Sequence, residues 1–145
     1  VLGLVAMKYR GAYVASKFAL EGLTDTLRLE LHGTGIHVVS IRPGPIATQF
    51  VPNAMAVFDR TIDAVNSAHA DIYEKRRARM KRGGATRFKL PPSAVVDALI
   101  KALEAPKPRV SYAVTIPTHL MGIARRLLTE RALSNFLRDT SDREV

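Results

Sequence analysis

The chain has 145 residues, 47% of them hydrophobic and 24% charged, with a net charge of +9 and no cysteine. That length makes one domain or a piece of a larger one, and the composition is that of a globular protein with a cytoplasmic setting as the default expectation. The missing cysteines exclude a disulfide framework and a Cys-based metal site, and no apolar run approaches the length of a membrane span.

Residues 1–12 are small, apolar and Gly-containing; they read as a loop and carry no basic leader. A helix is predicted from about Ala12 to His32. Leu20, Leu23, Leu27 and Leu31 form one apolar stripe, and Ala15, Phe18, Ala19, Gly22 and Leu29 widen it. A helix this apolar must bury more than one face, one on a sheet and another against a partner subunit. Tyr13 and Lys17 stand four residues apart within it, on one face. A lysine so placed favours the phenolate and lowers the phenol's pKa from about 10. The tyrosine can then exchange a proton with a substrate oxygen near neutral pH. Taken alone, the spacing also occurs by chance, and a surface pair is the plain alternative. Ser16 and Lys17 do not form a nucleophile pair, because adjacent helical residues point about 100° apart.

Gly33-Thr34-Gly35 ends the helix. Ile36 to Ile41 reads as a strand whose nearly continuous apolar character suits a parallel sheet covered on both faces. Pro43-Gly44-Pro45 stops it, at the carboxyl end of a strand, where open parallel sheets bind ligands. Residues 47–90 form a long excursion. Ala54 to Arg82 is expected to be partly helical, with Ile62, Val65, Ala68, His69 and Ile72 in rhythm and Gly83-Gly84 as the break. Pro91-Pro92-Ser93 opens a helix through about Glu104, with Val95, Val96, Leu99, Ile100 and Leu103 on its apolar face. A short strand from Val110 to Ile116 and a final helix from about Thr118 to Leu137 complete the reading.

His32, His37, His69 and His119 have no ligand spacing, so no metal site is expected. Much of the positive charge falls in one window: Lys75, Arg76, Arg77, Arg79, Lys81, Arg82, Arg87 and Lys89. A solvated lid face is the leading reading; an acidic membrane surface or an anionic substrate is the next. Nucleic acid is not expected, since aromatics are few and no recognition motif accompanies the charge. The last helix, with Leu120, Ile123, Leu127 and Leu128 beside Arg125, Arg126, Arg131 and Arg138, suits either docking on the fold or peripheral membrane contact.

From Gly11 to Phe50 the chain resembles the short-chain dehydrogenase/reductase family. The text that carries the resemblance is Tyr13-Val14-Ala15-Ser16-Lys17-Phe18-Ala19-Leu20-Glu21-Gly22-Leu23-Thr24-Asp25, then Leu27 to Leu31, Ile36 to Val39, and Arg42-Pro43-Gly44-Pro45-Ile46-Ala47-Thr48. Tyr-x-x-x-Lys, a long apolar helix, a buried strand and a Pro-Gly-x-x-x-Thr turn come in the family's order.

The resemblance implies an α/β fold of Rossmann type, a doubly wound parallel sheet of which residues 1–145 are the C-terminal portion, with two strands and three or more helices. It implies hydride transfer between NAD or NADP and an alcohol or carbonyl. Tyr13 would be the acid/base and Lys17 its tuner, bonded to the nicotinamide ribose. The Ile46 backbone and Thr48 side chain would meet the carboxamide or a phosphate. Pro43 and Gly44 would shape the turn and let the cofactor approach closely. The excursion at about 47–90 occupies the family's substrate lid, and Met55, Val57, Phe58 and Ile62 suggest a bulky apolar substrate. The family's Gly-rich loop and Asn-Asn-Ala-Gly segment are not in this sequence, and its catalytic serine would stand one residue before Val1. The expectation is a portion inactive alone, drawn from a homo-oligomeric enzyme. The alternative is a non-catalytic basic interaction module, or a peripheral membrane module, derived from a truncated enzyme.

Overall fold

A computed structural model describes residues 1–81 and 88–143. Arg82, Gly83, Gly84 and Arg87 of the expected lid and basic window lie outside the described residues. The element order is α1 (Gly11–Glu30), β1 (Ser40–Arg42), α2 (Phe50–Thr61), α3 (Ala70–Lys81), α4 (Ser93–Glu104), β2 (Ser111–Ala113), α5 (Ile116–Leu127) and α6 (Glu130–Asp142).

β1 and β2 pair in parallel, with Ser40, Ile41 and Arg42 opposite Ser111, Tyr112 and Ala113. A parallel pair needs a crossover connection, and α4 packs against both strands in that role. This is the two-stranded α/β portion that the sequence leads one to expect. The strands are shorter than predicted. Residues 36–39 run outside the ladder, and Ile36 is exposed. β2 stops because Val114 closes the ladder onto Arg42 (3.2 Å) and Thr115 already serves as the N-cap of α5. Pro117, which has no N–H to lose, sits in the first turn there.

α1 is fixed at its C-terminal end by Arg28. Its Nε donates to Val38 O at 3.1 Å and its Nη2 to Val110 O at 3.4 Å, while Asp25 takes Nη1. Gly33 and Gly35, at φ +83° and +84°, then reverse the chain in a conformation that side chains disfavour.

Among the described residues the excursion contains two helices, with a break that the apolar rhythm of Ile62 to Ile72 did not anticipate. Ile62 is extended (φ −114°, ψ 119°), and Asp63 accepts from Asn66 N at 3.2 Å and Nδ2 at 2.8 Å. Short polar side chains of this kind offer the backbone an alternative to the helix. The two helices meet through Phe58 and Tyr73, whose rings are 5.3 Å apart and edge-on, and through an Arg77–Asp59 ion pair at 3.0 Å. The predicted last helix is also two. Leu128 leaves the helical region, and the hydroxyl of Thr129 accepts from Ala132 N at 3.3 Å, capping α6.

Among the described residues the fully enclosed positions are few: Val5, Thr115 and Thr118, each 1% exposed. Leu20, Leu23, Leu27 and Leu29 of α1 are exposed.

Candidate active site

The first turn of α1 brings Tyr13 to the wall of a cavity of about 1060 Å³, with Lys17 on the next turn of the same wall. Lys17 Nζ lies 5.3 Å from the centroid of the Tyr13 ring. Tyr13 is 41% exposed, so its phenol is open to a ligand, and Phe50 at the start of α2 flanks it with ring centroids 6.0 Å apart. Ser16 spends its hydroxyl on Tyr13 O at 2.7 Å and takes no part in a nucleophile pair.

α2 contributes an apolar stripe. Phe50, Val51, Ala54 and Phe58 line the cavity, at the spacing of one helical face. Met55, Val57 and Ile62, singled out by sequence, do not; Val57 and Ile62 are exposed. Tyr73, Arg76, Arg79 and Met80 of α3 turn toward the same space. Lys75, Arg77 and Lys81 face outward. The basic window is therefore divided. Of its described residues, Lys75, Arg77 and Lys81 are exposed, while Arg76 lies 5.7 Å from the Tyr9 ring and Arg79 Nη1 donates to Arg143 O at 3.1 Å.

The turn after β1 holds the remaining candidates. Pro43 and Gly44 line the cavity. A Cβ placed on Gly44 would lie 1.9 Å from Thr115 Oγ1 and 2.7 Å from Thr118 Oγ1. The space that glycine leaves is thus filled by the N-terminus of α5. Thr115 and Thr118 are bonded to each other at 3.0 Å, and sequence reading gave them no role. Ile46 forms a parallel bridge with Leu90 whose bonds use Pro45 O (3.1 Å) and Ala47 N (2.9 Å), so Ile46's own N–H and C=O point to the other side. Thr48 Oγ1 accepts from Phe50 N at 3.3 Å, which supports the start of α2 and leaves its O–H as a donor. Neither Ile46 nor Thr48 lines the cavity that holds Tyr13.

Glu21 and Arg42 also went unassigned in the sequence. Arg42 Nε reaches Glu21 Oε1 and Oε2 at 3.0 and 3.2 Å, Nη2 reaches Oε2 at 2.6 Å, and Nη1 donates to Ser111 Oγ at 3.1 Å. A signal existed: Glu21 continues the 13, 17 spacing by one more turn. Among the described residues no cluster of His, Asp or Glu could hold a metal ion, and no helix is long and apolar enough to cross a membrane.

The sequence profile of the short chain dehydrogenase family matches residues 1–57. The chain is 39% identical over 137 residues to the "Uncharacterized oxidoreductase YbbO" of Escherichia coli, covering 94% of this chain and 45% of that protein. It is 29% identical over 138 residues to human 17-beta-hydroxysteroid dehydrogenase type 1, covering 93% of this chain and 40% of that one. A 3-ketodihydrosphingosine reductase of Bacteroides thetaiotaomicron is 43% identical over 51 residues, 35% of this chain and 19% of that one. The chain thus spans less than half the length of these relatives.

Proposed function

Because the chain belongs to the short-chain dehydrogenase/reductase family of oxidoreductases, we propose that it serves hydride transfer between NAD or NADP and a bulky, apolar alcohol or carbonyl compound. The observation that carries this reading is the Tyr13–Lys17 pair, on one face of α1, at the wall of a large cavity with an apolar lid stripe.

Tyr13 exchanges a proton with the substrate oxygen through its hydroxyl. The Lys17 ammonium favours the phenolate and offers donors to a ribose hydroxyl. Phe50 and Phe58, which line the cavity, meet the apolar part of the substrate. A nicotinamide, when bound, would supply or accept the hydride. Of the residues proposed to hold it, Lys17, the outward backbone of Ile46 and the Thr48 hydroxyl suit that role by their remaining hydrogen-bonding capacity. Pro43 shapes the turn. Gly44 lines the cavity with its backbone, while Thr115 occupies the place of its missing side chain. The names of two relatives, a hydroxysteroid dehydrogenase and a ketodihydrosphingosine reductase, support a lipid-like substrate.

The test is turnover of a panel of short polar and long apolar aldehydes, ketones and alcohols with NADH, NADPH and their oxidised forms. It should be run on these 145 residues and on the product of the whole reading frame. We expect long apolar substrates to be used by the longer polypeptide and not by the 145 residues alone. Turnover confined to small polar substrates, or undiminished in Tyr13→Phe, overturns the reading. We further propose that the intact enzyme is a homo-oligomer that covers the exposed leucines of α1; native mass at the monomer value counts against this. A second reading, peripheral membrane contact, draws on exposed Leu120, Ile123 and Leu127 beside the basic Arg125 and Arg126 of α5. Flotation with anionic liposomes at two salt concentrations tests it.

A further inference from the structure

We propose that Arg42 is a positioning residue for the proton-transfer pair: by holding Glu21, it keeps the Lys17 ammonium directed at Tyr13. The inference rests on the reading of Tyr13 and Lys17 given above.

Tyr13, Lys17 and Glu21 follow one another at single-turn spacing on α1. A lysine and a glutamate four residues apart on a helix ordinarily attract each other. If Lys17 turned to Glu21, its charge would be drawn one turn away from the phenol and partly cancelled. No Lys17–Glu21 ion pair exists among the described residues; Glu21 gives both oxygens to Arg42. The planar fork of arginine outcompetes an ammonium for a carboxylate in this arrangement. Three further features hold the clamp. Ser111 on β2 fixes the guanidinium from its other side at 3.1 Å. Both side chains are only 21% exposed, which limits screening by water. Gly3 lies against the stem of Glu21 and the carbonyl of Lys17, where a Cβ would come within 3.0 Å of Glu21 Cγ and 3.1 Å of Lys17 O.

The other charged or titratable side chains on this cavity are Tyr9 and Arg10 from the segment before α1, and Tyr73, Arg76 and Arg79 from α3; α5 and α6 contribute neutral groups. Glu21 is the one carboxylate among the described lining residues. It is therefore the group able to divert Lys17.

The experiment is a phenolate absorbance titration of the 145-residue chain, with Tyr13→Phe spectra subtracted to isolate Tyr13. In Arg42→Gln the Tyr13 phenolate band should appear at higher pH than in the unsubstituted chain, by about half a pH unit. In Glu21→Gln/Arg42→Gln it should return, because no carboxylate remains to capture Lys17. In a Lys17→Gln background the Arg42→Gln displacement should shrink to less than half. An unmoved band, a double variant displaced as far as Arg42→Gln, or a displacement undiminished without Lys17 overturns the proposal. Should Arg42→Gln fail to fold, Arg42→Lys keeps the charge and loses the fork; it must move the band in the same direction, and no movement overturns the proposal. The titration needs neither substrate nor dinucleotide. Its failure is therefore separate from failure of the catalytic reading, which shows instead as undiminished turnover in Tyr13→Phe.

Discussion

Gly44, in the turn after β1, lies against the buried hydroxyl of Thr115, 71 residues further along the chain. The contact is so close that only a residue without a side chain fits. Gly44→Ala should destabilise the fold by about 1–3 kcal/mol, the usual cost of overpacking. Thr115→Ala should also destabilise, since Thr118 loses its hydroxyl partner. The double variant should be less affected than the two losses summed, because the most severe contact, to Thr115 Oγ1, is removed while that to Thr118 Oγ1 remains. Chemical denaturation of the three variants measures this coupling.

Tyr13→Phe removes the proposed proton donor and keeps the ring against Phe50. Turnover by the intact enzyme should fall about 10²- to 10⁴-fold with little change in melting temperature. Lys17→Met should lower turnover as well and should weaken dinucleotide binding, readable by fluorescence titration. Equal loss of stability in both variants would argue for a packing role instead.

Asp63 ties off the turn between α2 and α3. Hydrogen bonds from the Asn66 side chain, then from the Asn66 and Val65 backbone, hold its carboxyl below its ordinary 3.8. A carboxyl depressed on folding stabilises the folded state above its unfolded pKa, and that contribution fades as pH falls through the lower folded value. Melting temperatures recorded from about pH 5 downward should therefore fall less steeply in Asp63→Asn. Parallel curves for the two proteins would contradict the assignment.

Thr129 separates α5 from α6 by capping the second helix. Thr129→Ala should cost about 0.5–2 kcal/mol, and Thr129→Ser should restore most of it. Denaturant midpoints followed by far-UV circular dichroism decide the matter.

What was legible in the sequence is what local pattern encodes. α1 and α4 were found by their apolar stripes and by the Gly or Pro residues at their ends, and Tyr13–Lys17 by a spacing within a single turn. The break at Asp63 was missed because Ile62 to Ile72 kept a helical period; the hydrogen bonds of one carboxylate outweighed it. The split at Thr129 was missed for a similar reason, a cap inside an apolar rhythm. Glu21–Arg42 and Gly44–Thr115 join residues from different elements, and no periodicity reports such a meeting. Arg42 and Gly44 were quoted as motif letters; what they touch depends on where β2 and α5 come to rest.

The parallel pairing of Ser40 with Ser111 sets an order on the assembly of the site. Tyr13 and Lys17 come together as soon as one helical turn forms, an event of fractions of a microsecond. The clamp of Arg42 on Ser111, and the seat of Gly44 on Thr115, must wait until a loop of about 70 residues has closed, with its entropic toll and its slowing of folding. The pair proposed to be reactive is thus made early and left unaimed; its surroundings arrive last, and a chain arrested on the way would carry the motif without the geometry.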